Sequence, residues 1–172
     1  MTTIVVEDGT VVANANSYQS VADLRSFAAE RALPLPTSDD DCGVLLLNSM
    51  DYMERRCGMN WLGFKYSRDQ DVAWPRREVN VEGYCYKYTE LPKQLLILQD
   101  IVACELYALA GQDVMPTAFP NDHGSIASDA ISGAVTETYE NNARVLKYAV
   151  IEKAERYVIA LTTPRYIRAI RA

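Results

Sequence analysis

The sequence predicts a mainly α protein: a small helical bundle around a central apolar helix, with short β-hairpins and an extended C-terminal tail. Three observations carry this. The segment "LPKQLLILQDIVACELYALAGQD" is apolar on almost every side, and a helix of that kind is stable only when covered. Two earlier segments and one later segment place apolar residues at helical spacing, bounded by capping residues or prolines. Between Gly58 and Glu90 that period vanishes, and glycines and aromatics punctuate the chain, which suits short strands and turns. With 172 residues, 49% apolar and 23% charged, the composition supports one packed domain and argues against wholesale disorder.

The elements follow in order. "TTIVVEDGTVVANA" reads as two β-prone runs around Asp8-Gly9, a hairpin turn signal. "SVAD" opens a helix, with Ser20 as cap and Asp23 three residues on. Leu24, Phe27 and Ala28 form its apolar face, and "LPLP" stops it near Arg31. "SDDDCGVLLLNSMDYMERRC" is the second helix. Asp39, Asp40 and Asp41 compensate its positive end, and Leu46, Met50, Met53 and Cys57 face the core. "DVAW" is a brief strand that Pro75 ends.

In the central apolar helix Pro92 suits the first turn and Gly111 the cap. Its thin polar stripe is Gln94, Gln99, Asp100 and Glu105. "AISGAVTETY" holds a glycine between two β-prone runs, so 124–140 is expected to form an exposed hairpin or loop. "NNARVLKYAVIEKAERYVIALTT" returns to a helical pattern that Pro164 ends. Residues 1–161 are therefore expected to form one helical domain, and 162–172 a basic tail.

Net charge is −6. An acidic chain lacks the basic stripe expected of a DNA coat, although a local patch can still bind. The charge is uneven: the last eleven residues, "TTPRYIRAIRA", hold three arginines and no acid, which suggests that the tail touches something beyond its own surface. Four cysteines stand at 42, 57, 85 and 104 without a CxxC pair, so no zinc site is expected. Cys42 and Cys57 would lie roughly 22 Å apart along one helix, too far for a disulfide. "MTTIVVEDGT" has no signal-peptide pattern, and no stretch approaches the ~20 apolar residues of a membrane span. A soluble intracellular protein without a membrane partner is expected.

Catalytic chemistry has thin support. The one histidine, His123, sits in "PNDHGS". Asp122 and Ser125 are its neighbours in one turn, whereas a triad needs separate elements to aim three groups. No phosphate loop, nucleophile elbow, HExxH or GxGxxG occurs. The expectation is no catalytic residue, no metal and no cofactor, hence no enzyme.

Nucleic-acid binding has somewhat more support. Lys65, Arg68, Arg76 and Arg77 interleave with Trp61, Phe64, Tyr66 and Trp74, as in stacking platforms for single strands. Asp69, Asp71, Glu78 and Glu82 alternate with them, so the same stretch also reads as an aromatic mini-core whose arginines pair with nearby acids. Both readings stay open on the residues alone.

"VEDGTVVANANSYQSVAD", "QDVAWPR" and the apolar helix after "LP" resemble the head–tail connector proteins of tailed bacteriophages, in the branch labelled DnaT-like single-stranded-DNA-binding protein. The resemblance covers about 1–160; "SGAVTETY" and "RYIRAIRA" resemble the branch more loosely. It implies a non-enzymatic adaptor, a helical bundle with an extended hairpin. Neighbouring copies would form a ring, about twelvefold, in the virion neck between portal protein and a tail, tail-terminator or neck protein. Made in the host cytoplasm, the ring would let packaged double-stranded DNA pass without sequence-specific contact. On this view Arg165, Tyr166, Arg168 and Arg171 anchor the portal. Ile131, Val135, Glu137 and Tyr139 make ring or tail contacts, and Trp74, Pro75 and Arg76 fix a mid-chain crossover. The alternative is a single-stranded-DNA-binding protein of phage replication, using Lys65, Arg68, Arg76 and Arg77.

Overall fold

Ser20 lies in extended backbone, and its hydroxyl accepts from the Asp23 amide while the Asp23 carboxylate accepts from the Ser20 amide. That reciprocal cap starts α1 (Val21–Glu30), which turns Leu24, Phe27 and Ala28 inward. The computed structural model describes residues 3–109, 126–131, 135–139 and 151–163. Ser38 caps α2 (Asp39–Cys57) through the Asp41 amide, and three aspartates occupy its positive end. Asp39 also accepts from Arg25 of α1 at 2.7 Å. Cys42, Leu46, Met50, Met53 and Cys57 are buried at the spacing read from the sequence.

α3 (Lys93–Ala108) packs against α1, α2 and α4 (Glu152–Leu161). Leu95, Leu98, Val102 and Ala103 are fully buried. A core cluster joins Leu24, Phe27 and Ala28 of α1, Cys42 and Leu46 of α2, and Ala103 and Cys104 of α3. α4 contributes Ala154, Val158 and Leu161. A two-pronged pair, Arg56 to Glu155 at 2.7 and 2.5 Å, ties α2 to α4. Lys153 donates to Glu105, tying α4 to α3.

Three two-stranded antiparallel ladders complete the described residues. β1 (Phe64–Lys65) pairs with β2 (Arg76–Arg77), and β3 (Val79–Val81) with β4 (Tyr84–Tyr86). β5 (Ile126–Ile131) pairs with β6 (Val135–Tyr139), with a register irregularity between Ile126 and Ser128. This last hairpin belongs to a separate compact unit, Asp113–Val150; the other unit joins Met1–Gln112 to Ile151–Ala172. The described fold is thus four helices with short antiparallel hairpins.

Several sequence expectations change. No N-terminal hairpin forms around Asp8-Gly9. Glu7 is buried instead, and its carboxylate accepts from the amides of Gly9, Val11 and Val12 at 2.8, 3.0 and 2.9 Å. This folds the chain into a knot of turns, and only an isolated parallel bridge joins Val6 to Ser17. "DVAW" is not a strand: β2 begins after Pro75 rather than ending before it. Within the polar stripe of α3, Gln99 and Asp100 are buried, while Gln94 and Glu105 stay half-buried. Gln99 accepts from the Tyr18 amide and donates to Ser17 Oγ and the Leu46 carbonyl, while Gln19 donates to Asp100 at 2.7 Å. The last described helix starts at Glu152, where Tyr52 Oη accepts from the Ile151 amide just ahead of it. Gly111, Pro164 and the tail from 164 onward lie outside the described residues.

Candidate nucleic-acid interface

Trp74 is fully buried, and Trp61 is 4% exposed. The two indoles meet edge to face, with centroids 6.1 Å apart, a favoured aromatic geometry. The Trp74 amide donates to Tyr18 Oη at 3.1 Å. Burial holds the Tyr18 phenol far above its usual range, so it stays neutral. Neither tryptophan offers a face to a ligand. Pro75 is buried beside Trp74, joined to it by a cis peptide bond.

Arg76 also points inward. Its guanidinium donates to the carbonyls of Leu62, Gly63 and Ala73 at 2.6, 2.8 and 3.1 Å, and burial pulls its pKa below the ordinary arginine value. Gln70 works on the same crossover, donating to the Val72 and Pro75 carbonyls and accepting from the Ser67 amide. Gly63 is required where β1 meets β2. Its φ is +64°, and a Cβ there would come within 2.1 Å of the Arg77 carbonyl oxygen. This scaffold holds β1 and β2 in register, with Phe64 opposite Arg77 and Lys65 opposite Arg76.

The outward side is different. Six large apolar side chains are exposed among the described residues, and four of them, Phe64, Tyr66, Tyr84 and Tyr88, fall on this one stretch. Tyr66 and Tyr88 stack nearly parallel, with centroids 4.6 Å apart, and the Arg77 guanidinium stands 5.7 Å from the Tyr66 centroid. Phe64 is 65% exposed and Tyr84 75%, and neither meets another ring among the described residues. β3 anchors the second ladder through buried Val79 and Val81, and the turn at Glu82-Gly83 presents Tyr84. Lys65, Arg68, Arg77 and Lys87 are exposed, and none is in an ion pair among the described residues. Asp69, Asp71, Glu78, Glu82 and Glu90 are exposed on the same stretch. Three of these acids meet uncharged donors: Asp71 the Asn14 amide, Glu82 the Gln94 side chain, and Glu90 the Lys87 amide.

Of the four cations expected for DNA, the structure brings Lys65, Arg68 and Arg77 to the surface and turns Arg76 inside. Of the four aromatics, it exposes Phe64 and Tyr66 and buries Trp61 and Trp74. Tyr84, Tyr88 and Lys87 were missed by sequence reasoning, although the alternate tyrosines of "YCYKY" after a glycine turn carried the signal. Arg165, Tyr166, Arg168 and Arg171 lie outside the described residues, as do His123, Asp122 and Ser125. Ile131 pairs with Val135, Asp129 with Glu137, and Ile126 with Tyr139, across the β5–β6 ladder. Among the described residues no helix is long and apolar enough to cross a membrane.

No curated protein and no solved structure matches the chain. A family model described as "Putative DnaT-like ssDNA binding protein" matches residues 2–172. That match overturns the head–tail connector reading, and with it the portal, the ring of copies, the tail component and the channel for double-stranded DNA. The overturned reading rested on the resemblance of "VEDGTVVANANSYQSVAD", "QDVAWPR" and the helix after "LP"; the net negative charge that counted against DNA is a whole-chain quantity and does not describe a local face. The mid-chain surface carries exposed aromatic rings and cations that form no ion pair among the described residues, features that a passive channel wall does not need. Matched over nearly its whole length, the chain belongs to the DnaT-like single-stranded-DNA-binding protein family.

Proposed function

We propose that this protein binds single-stranded DNA through the outward side of the β1–β4 segment and carries out no catalysis. One observation carries the reading: the β1–β4 segment exposes Phe64, Tyr66, Tyr84 and Tyr88 and, along the same stretch of chain, Lys65, Arg68, Arg77 and Lys87. Exposed rings stack on unpaired bases, and flanking cations hold the backbone. The family match supports the same ligand. The four helices are read as a small bundle around α3 whose task is to keep this face rigid. Trp74, Pro75 and Arg76 belong to that support.

The test is fluorescence anisotropy with labelled oligo(dT) at moderate salt, comparing the wild-type chain with a Phe64→Ala/Tyr84→Ala double variant. Both side chains are exposed, so the variant keeps its fold. The wild type is expected to bind, and the variant to lose at least tenfold in affinity. Equal binding by the two would remove the site from this face.

A further inference from the structure

Not all the aromatic rings on this face are equally open, and the cations are few. Tyr66 has Tyr88 stacked against it and the Arg77 guanidinium near its ring. One face of it is taken by Tyr88, and it fixes that ring in place. Tyr88 has its far side left, while Phe64 and Tyr84 have no ring neighbour among the described residues. The exposed cations number four and the exposed acids on the same stretch number five, so phosphate attraction is largely cancelled locally. Each phosphate neutralised on a single strand contributes a salt slope of about −0.7. Four cations therefore set a ceiling near −3, before the acids reduce it.

Resting on the proposed function, we infer that the ligand is held by its bases rather than by its phosphates. The bases lie on Phe64, Tyr84 and the free side of Tyr88, whose ring is held in place by the stack on Tyr66. The substrate class is unpaired DNA with intact bases. Duplex DNA is excluded because its bases are stacked on one another, and a strand without bases is excluded because nothing remains to stack. Sequence preference is weak, since every base has a π-face.

The test uses the full chain and three labelled probes of about 16 nucleotides: oligo(dT), a strand of the same length and charge made of abasic residues, and a duplex. The expected result is tight binding of oligo(dT), at least tenfold weaker binding of the abasic strand and the duplex, and a salt slope for oligo(dT) shallower than about −3. Tyr84→Ala is expected to cost roughly ten- to hundredfold on oligo(dT) and nothing on the abasic strand. Equal binding of oligo(dT) and the abasic strand would overturn the base-held mode while leaving single-strand binding intact. Failure to bind any probe would overturn the proposed function itself.

Discussion

The backbone amide of Trp74 donates to the hydroxyl of Tyr18 at 3.1 Å, inside the protein. Tyr18 in turn donates its own amide to Gln99 of α3 at 2.9 Å. A short polar chain thus runs from the central helix through the N-terminal segment to the crossover that positions β2. The aromatic face is attached to the helical core through groups that have no access to water. Removing a link leaves a buried donor or acceptor unmatched, which costs more than the bond itself contributes.

Tyr18→Phe tests that link. The ring still fills its space, but the Trp74 amide loses its acceptor. Stability is expected to fall by about 1–3 kcal/mol in urea unfolding, with oligo(dT) affinity unchanged under folding conditions. A loss of affinity without a loss of stability would mean that Tyr18 communicates with the ligand rather than holding the scaffold.

The two tryptophans give an independent readout. Both are buried, so their emission is expected to be blue-shifted, insensitive to iodide and unquenched by saturating oligo(dT). Trp74→Ala is expected to cost about 3–5 kcal/mol of stability. Quenching of the tryptophan signal by DNA would place an indole at the ligand and contradict the burial of both rings.

Arg76 and Arg77 are neighbours with opposite roles. Arg76→Gln abandons carbonyls at Leu62, Gly63 and Ala73 and is expected to lose about 1.5–3 kcal/mol of stability. Arg77→Gln is expected to change stability by no more than about 0.5 kcal/mol. It should weaken oligo(dT) binding a few-fold and flatten the salt slope by about 0.7. The pair is checked by running chemical denaturation and salt-dependent anisotropy on both variants. Reversed outcomes would mean that the guanidiniums exchange places in solution.

That contrast shows how far the sequence was readable. Local signals reported local structure well: Ser20 with Asp23 announced a cap, and Leu46, Met50, Met53 and Cys57 announced a buried face. What depends on distant partners was not visible. Nothing in "PRRE" distinguishes the arginine that turns in from the one that turns out, because the carbonyls that capture Arg76 come from Leu62, Gly63 and Ala73. Gln99 and Asp100 read only as a polar stripe because their partners Ser17, Tyr18 and Gln19 are about eighty residues away. Asp8-Gly9 looked like a hairpin because alternation cannot reveal that Glu7 will be buried and draw in three amides. Net charge misled most, since it averages over the whole chain while recognition happens on one face.

Asp100 gives the final prediction, a dependence of stability on pH. It is 1% exposed, and burial pushes its carboxyl up to about 7, against 3.8 for an ordinary aspartate. The Gln19 side chain donates to Oδ2 and opposes that rise, while Asp23 adds to it. Oδ1 has no partner. Between about pH 4 and pH 7 the folded chain keeps a proton that the unfolded chain has released. Stability from this group is therefore fully present below pH 4, declines as pH rises through 7, and is level above that. At about 1.4 kcal/mol per unit, the decline is on the order of a few kcal/mol. Asp100→Asn keeps the shape without the proton. Relative to wild type, it is expected to be nearly neutral at about pH 3, already stabilising at about pH 5 and most stabilising at about pH 8, measured as urea midpoints at each pH. Identical pH profiles for the two proteins would mean that Asp100 is ionised in the folded state and already compensated.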